Sequence, residues 1–139
     1  MEREIVKDEE VLKRKSARYD VKRDWKVEVD LIDTAEANGE KCVGLAAIQI
    51  GEAVRLIVAK FEDGKFRVMR NPLIVERSAE TYVARETCLS LEGEREVTRH
   101  RAITVLYEDQ FGKQRKLRCR DFLAEVVQHE CDHLVGILI

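Results

Sequence analysis

Two histidines four residues apart, with a glutamate directly after the first, sit near the carboxyl end in Gln128-His129-Glu130-Cys131-Asp132-His133. The surrounding segment, Phe122 to Val135, has helical period, with Asp121 as the expected N-cap and Gly136 as the expected stop. At about 100° per residue, Phe122, Val126, His129 and His133 fall within about 60° of one another. Both imidazoles therefore lie on an apolar, inward stripe, and any fold this chain adopts has to set that stripe against its core. Two neutral imidazoles at this spacing reach one divalent ion from one side of a helix. The glutamate beside the first is placed to take a proton from water.

Such a site needs a third protein ligand, and Leu134-Val135-Gly136-Ile137-Leu138-Ile139 offers none, so the ligand is expected upstream. Cys131 points about 160° away from the histidine stripe, and Cys119 lies ~15 Å along the axis from His129. Both read as packing residues. Asp132, on the flank of the stripe, reads as a carboxylate supporting a ligand or meeting solvent. Spacing alone leaves Cys42, Cys88, His100 and an upstream carboxylate open. Spacing does not choose among them.

Elsewhere, periodicity sets the fold class. A short helical stretch spans Glu9 to Lys15. A longer one spans Lys22 to Glu36, where Trp25, Val29, Ile32 and Ala35 recur at helical spacing and Asn38-Gly39 ends it. Val54 to Phe61, a turn at Glu62-Asp63-Gly64-Lys65 and Phe66 to Met69 read as an antiparallel hairpin, with Leu73 to Val75 as another strand. Arg101 to Tyr107 and Lys113 to Arg120 flank a further turn. The expectation is α+β: antiparallel sheets packed around the C-terminal metal-binding helix, with the longer helix near the N-terminus.

With 139 residues, the chain is expected to form one domain over residues 1–139. Its 25 basic and 27 acidic side chains leave a net charge of −2, which argues against nucleic-acid specificity or a polybasic membrane surface. The one dense basic run, Lys113, Arg115, Lys116, Arg118 and Arg120, alternates with Leu117 and Cys119, as on a strand with a solvated face. No leader-like apolar segment opens the chain and no stretch is long enough to span a bilayer, so a cytoplasmic protein without membrane contact is expected. Four cysteines without a CxxC pair read as free thiols in a reducing compartment.

Three segments together carry a resemblance: Cys42-Val43-Gly44-Leu45-Ala46-Ala47-Ile48-Gln49, Glu86-Thr87-Cys88-Leu89-Ser90 and Gln128-His129-Glu130-Cys131-Asp132-His133. In order and spacing they resemble the three motifs of the peptide deformylases, and Glu4-Ile5-Val6-Lys7 with Val11-Leu12 resembles that family's opening. The likeness covers nearly the whole chain. It implies Cys88 as the metal thiolate beside His129 and His133, and one divalent ion, ferrous iron by family habit, with zinc, nickel or cobalt also suited to these donors. It implies Glu130 as the base that takes a proton from the attacking water and returns it to the leaving amine. The Gln49 side-chain amide and the Leu89 backbone N–H are implied as donors to the developing oxyanion. The substrate would be an N-formylated nascent peptide beginning with formyl-methionine, released as formate and a free amino terminus. Val43 and Gly44 would align the peptide; Val43, Phe122 and Val126 would line an apolar pocket for the methionine. Arg95 matches an arginine near the substrate cleft.

Three positions depart from the family pattern: Cys42 stands for a glycine, Ile48 for a proline or threonine, and Thr87 for the glycine before the thiolate. A β-branched Thr87 is expected to narrow the cleft. Many relatives also carry a tail beyond the motif helix, and with the sequence ending at Ile139 the expected contact with the ribosome is transient proximity. The alternatives to an active deformylase are a related amide hydrolase with a different substrate and a domain in which the metal only staples the fold. Glu130 and Gln49 argue against the staple, since a closed structural site has no use for them.

Overall fold

The computed structural model describes residues 1–138. In chain order it contains α1 (Glu9–Leu12), α2 (Val21–Ala37), β1 (Gly44–Ala46), β2 (Leu56–Lys60), β3 (Phe66–Arg77), β4 (Thr81–Cys88), β5 (Leu91–His100), β6 (Ala102–Glu108), β7 (Gln114–Arg120) and α3 (Asp121–Leu134), with short 3-10 turns at Gly39–Lys41 and Ala47–Ile50. The class is α+β, as expected. Five strands form one antiparallel sheet in the order β1-β2-β3-β6-β7, and β4 and β5 form a separate hairpin.

The pleat of β2 explains why the large sheet carries a helix on each face. Successive side chains point to opposite sides, so Leu56 and Val58 join Val27, Leu31 and Ala35 of α2, whereas Ile57 and Ala59 join Ala124, Val126, Val127 and Leu134 of α3. Leu56, Ile57, Val58 and Ala59 are all fully buried, which is why this strand reads as an unbroken apolar run. The hairpin over Glu62 to Lys65 pairs β2 with β3 as anticipated.

Helix α2 runs one residue beyond the expected span at each end, but it turns a different face inward. Trp25 and Val29 are exposed, while Asp24, Val27, Leu31, Thr34 and Ala35 are buried. The true stripe was disguised by two polar members whose bonds are satisfied locally. Asp24 accepts from the Asp20 N–H and from Arg23, and Thr34 donates to the Asp30 carbonyl while accepting from the Arg3 N–H.

Other differences have equally local causes. Helix α1 stops at Leu12, short of Lys15. Leu73 to Val75 is not a new strand but the far half of β3, which passes through Asn71-Pro72 with a register shift between Arg70 and Leu73. Asn71 sits at φ +51, and its side chain accepts from the Tyr19 N–H, holding the irregularity in place. Asp121 does not cap α3: the capping position is Arg120, without a side-chain bond, and the Asp121 carboxylate instead meets Arg101 and Arg120. Gly136 does end the helix, at φ +79, and the Ile137 N–H returns to the Asp132 carbonyl.

The β4–β5 hairpin has no clear counterpart in the periodicity because its alternating residues are mostly charged and exposed. It turns at Leu89-Ser90 and is held against α3 by polar contacts. Gln128 donates to the His100 carbonyl and accepts the His100 N–H, each at 2.9 Å. Tyr82 donates to Glu125 at 2.7 Å.

Candidate metal centre and cleft

The tip of this hairpin delivers Cys88 to α3. Ligand atoms of Cys88, His129 and His133 lie within 4.8 Å of one another, and Cys88 Sγ stands 3.6 Å from His133 Nε2. A tetrahedral ion with metal–sulfur and metal–nitrogen bonds of about 2.3 and 2.0–2.1 Å sets sulfur and nitrogen about 3.5–3.6 Å apart, so this pair has the separation a shared cation needs. Among the described residues this is the one group of its kind, and His100 is outside it, its Nδ1 bound to the Ser78 carbonyl. Cys42 and Cys119 are buried and Cys131 packs against the core, as their positions indicated. Burial pushes all three thiols up, to about 12, 11 and 12 respectively.

Charge around the triad also favours a cation. Burial drives the His133 imidazole down to about 3, leaving it neutral and ready to ligate. Burial lowers His129 too, but hydrogen bonds to Cys88 and Glu86 outweigh it and carry that ring up to about 10. The acceptors around His129 thus favour positive charge on that side of the triad.

Glu86 fixes the orientation of His129. Glu86 precedes Cys88 by two residues on β4, with a register shift between them, and its Oε1 lies 2.9 Å from His129 Nδ1, so Nε2 is left to face the ligand group. Arg99 grips Glu86 with two bonds of 2.9 and 2.7 Å and Asp132 with a third of 2.6 Å. Burial opposes the Glu86 charge, but Arg99 and His129 hold its carboxyl down at about 2. Neither Glu86 nor Arg99 was singled out from sequence. The available signal for Glu86 was its place two residues before Cys88; for Arg99 there was none short of knowing the hairpin.

Glu130 is buried beside the triad and borders a cleft of about 490 Å³. Its Oε1 has no protein partner, and burial is the chief cause that raises its carboxyl to about 7. Such a group exchanges protons readily near neutrality. Gln49, in the turn after β1, is 2% exposed. Its Oε1 accepts the Ala46 N–H, while Nε2 lies 3.1 Å from Ser90 Oγ and 3.4 Å from Cys88 Sγ, so the amide N–H₂ is aimed at the triad.

Val43, Gly44, Thr87, Leu89 and Val126 also line the cleft. Gly44 approaches α3 so closely that a Cβ there would stand 2.8 Å from Val126 Cγ1 and 2.9 Å from Glu130 Oε2. Phe122 lines the mouth rather than the interior: it is 60% exposed, in contrast with the inward stripe expected of it. Arg95 lies on β5 in register with Glu86, exposed, and is not among the residues that line the cleft.

The sequence profile of the polypeptide deformylases matches residues 2–139. The chain belongs to this family. A peptide deformylase of Clostridium beijerinckii is 43% identical over 136 residues, covering 97% of each chain. One from Dictyoglomus thermophilum is 43% identical over 145 residues, covering all of this chain and 91% of its own. Among solved structures, the Ehrlichia chaffeensis peptide deformylase superposes with a TM-score of 0.90 at 30% identity, over 99% of this chain and 86% of that one. A class I type b deformylase of Acinetobacter baumannii with Met-Ala-Ser bound gives a TM-score of 0.90 at 28% identity, over 99% and 97%. The deformylases are metal-dependent hydrolases, and the donor set described above fits that chemistry.

Proposed function

We propose that residues 1–139 act as one catalytic domain that removes the N-formyl group from formyl-methionyl nascent peptides. The observation that carries this reading is the convergence of Cys88, His129 and His133 beside a buried, unpartnered Glu130 at the floor of an open cleft. Cys88, His129 and His133 would hold the divalent ion. Ferrous iron is the ion expected of the family, and zinc, nickel and cobalt suit the same donors. When bound, such an ion supplies Lewis acidity, polarising the formyl carbonyl and making water more acidic.

The remaining work falls to the chain itself. Glu130 takes a proton from the attacking water and passes it to the leaving nitrogen, so the C–N bond breaks to give formate and a free amine. The Gln49 N–H₂, pinned by Ala46 and Ser90, and the Leu89 backbone N–H donate to the carbonyl oxygen as negative charge builds there. Among the described residues strand β1 pairs with β2 alone, leaving its second edge at Gly44, beside Val43, for an extended peptide to lie against. Val43, Phe122 and Val126 would enclose the methionine side chain, with Phe122 closing it from the mouth. The role of Arg95 would be at longer range, on peptide residues beyond the cleft. Met-Ala-Ser held by the Acinetobacter baumannii relative has the form of a product of this reaction.

Among the described residues no helix is long and apolar enough to cross a membrane. Free cysteines suit a reducing cytoplasm, where formylated chains emerge, and the encounter with the ribosome would be transient.

Anaerobically purified protein, assayed for metal content and for formate release from formyl-Met-Ala-Ser, tests the proposal. Glu130→Gln is expected to keep the metal and lose roughly 10²–10⁴-fold in kcat, whereas Cys88→Ala loses the metal. Metal-loaded wild type that releases no formate would overturn it.

A further inference from the structure

Helix α2 carries a second apolar stripe that the core does not use. Glu28 marks the edge of the buried face, since Arg70 of β3 holds it with bonds of 2.7 and 3.0 Å. Val27, Leu31 and Ala35 lie to one side of it, against the sheet. To the other side, at about 20°, 60° and 100° around the helix, lie Val21, Trp25 and Val29, each about half exposed, with Ile32 half-buried among them. Lys26 shields part of the Trp25 ring from 5.5 Å. Exposed apolar side chains scattered singly are ordinary. A run of them along one helix flank marks a surface that a partner covers.

The charges beside this stripe identify the partner. Lys22 and Lys26 belong to the first half of α2, Asp33 and Glu36 to the second, and all four lie on the outer margin of the stripe, about 80–160° from Glu28. Val29 is the midpoint of the helix, with Lys22 seven positions before it and Glu36 seven after. A second copy of α2, laid antiparallel about a two-fold axis at Val29, therefore sets Lys22 of each copy opposite Glu36 of the other. Lys26 meets Asp33 on the same margin, where Asp33 also holds the Met1 amino group of its own chain. A parallel pairing would instead bring lysine beside lysine and carboxylate beside carboxylate. In the antiparallel pair every favourable contact occurs twice, because the interface is isologous.

We infer that this chain self-associates through α2, as a two-fold dimer in which the Val21, Trp25 and Val29 stripes of two copies face each other and Lys22 of each copy meets Glu36 of the other. Helix α2 is ~25 Å long, and one such helix from each copy buries less than the roughly 1,200 Å² of a standard interface. The dimer is thus weak and reversible, with Kd on the order of 10–100 µM.

Sedimentation velocity of the full chain between about 5 and 500 µM is expected to show monomer giving way to dimer. Trp25 is the single tryptophan, so its emission is expected to shift to the blue, and its quenching by iodide to fall, over the same range. Trp25→Glu is expected to stay monomeric throughout. Lys22→Glu is expected to raise Kd about tenfold, since two like-charge contacts replace two opposite ones. Lys60 and Lys65 border a hollow together with Glu36, so Glu36→Lys is judged by rescue: Lys22→Glu with Glu36→Lys is expected to return Kd to within about threefold of wild type. An acid near the start of a helix and a base near its end both suit the helix dipole, so these reversals keep α2 intact. Wild type that remains monomeric at about 500 µM overturns the inference, as does a dimer that Trp25→Glu leaves unchanged or that the double reversal fails to restore.

Discussion

Gly44 shows how a single atom can decide whether this site works. Its hydrogen occupies the space between strand β1 and helix α3, where a methyl group would press on Val126 and on the Glu130 carboxylate. Gly44→Ala is therefore expected to displace Glu130 and lower kcat/KM by about 100-fold, with metal content unchanged because none of the three ligands is touched; formate release and metal analysis on the same preparation check both halves. At this scale much of the site is legible in the sequence. His129, Glu130 and His133 announce themselves because helical spacing alone puts the imidazoles together, and Gln49 stands out as an amide within an apolar run. Cys88 is different: its distance of 45 residues from His133 is bridged only by a hairpin whose pairing the residues do not advertise, so resemblance rather than spacing singled it out. Glu86 and Arg99 escaped for the same reason, since two charges thirteen positions apart acquire a meaning only once strands β4 and β5 are paired.

The elements follow the same division. Strand β2 and helix α3 are plain in the sequence because, Gln128 apart, every fully buried position is apolar or belongs to the His129-Glu130-His133 motif. The inward face of α2 was misread because Asp24 and Thr34 look like surface residues until their local bonds are seen. The end of α3 is set by Gly136, whose positive φ suits glycine and whose missing side chain leaves room for α1. A Cβ there would stand 2.3 Å from the Lys13 carbonyl oxygen. Gly136→Ala is thus expected to destabilise the fold by at least about 2 kcal/mol, measured as a shift in the urea unfolding midpoint at constant m-value. The β4–β5 hairpin is a further case, since two strands alone are marginal in water. Glu86, Arg99 and Asp132 tie it to α3, and the carboxyl of Glu86, held at about 2 against an ordinary 4.5, stabilises the folded state in full only above its unfolded value. That contribution is lost as pH falls from about 4.5 toward about 2. Thermal unfolding followed across this window is expected to show a steep acid limb in the wild type and a shallower one in Glu86→Gln.

Across the whole molecule, the metal ligands come from the hairpin and from the terminal helix, so a bound ion joins parts that otherwise meet through polar contacts. Stability is accordingly expected to track free metal as RT ln(1 + [M]/Kd). Chelation is expected to lower the melting temperature and to speed amide exchange first in β4 and β5, with β2 the slowest; equal loss of protection throughout would count against this coupling. The two margins of the large sheet are unlike each other. β7, on one side, carries Arg115, Lys116, Arg118 and Arg120, all exposed, and like charge along a border discourages a neighbouring molecule from zipping onto it. β1, on the other, is three residues long and opens beside the cleft. A stray extended chain meeting this protein thus finds one border defended and the other leading straight to the hydrolytic floor, so that protection from clumping and admission of the correct guest are arranged by the same sheet.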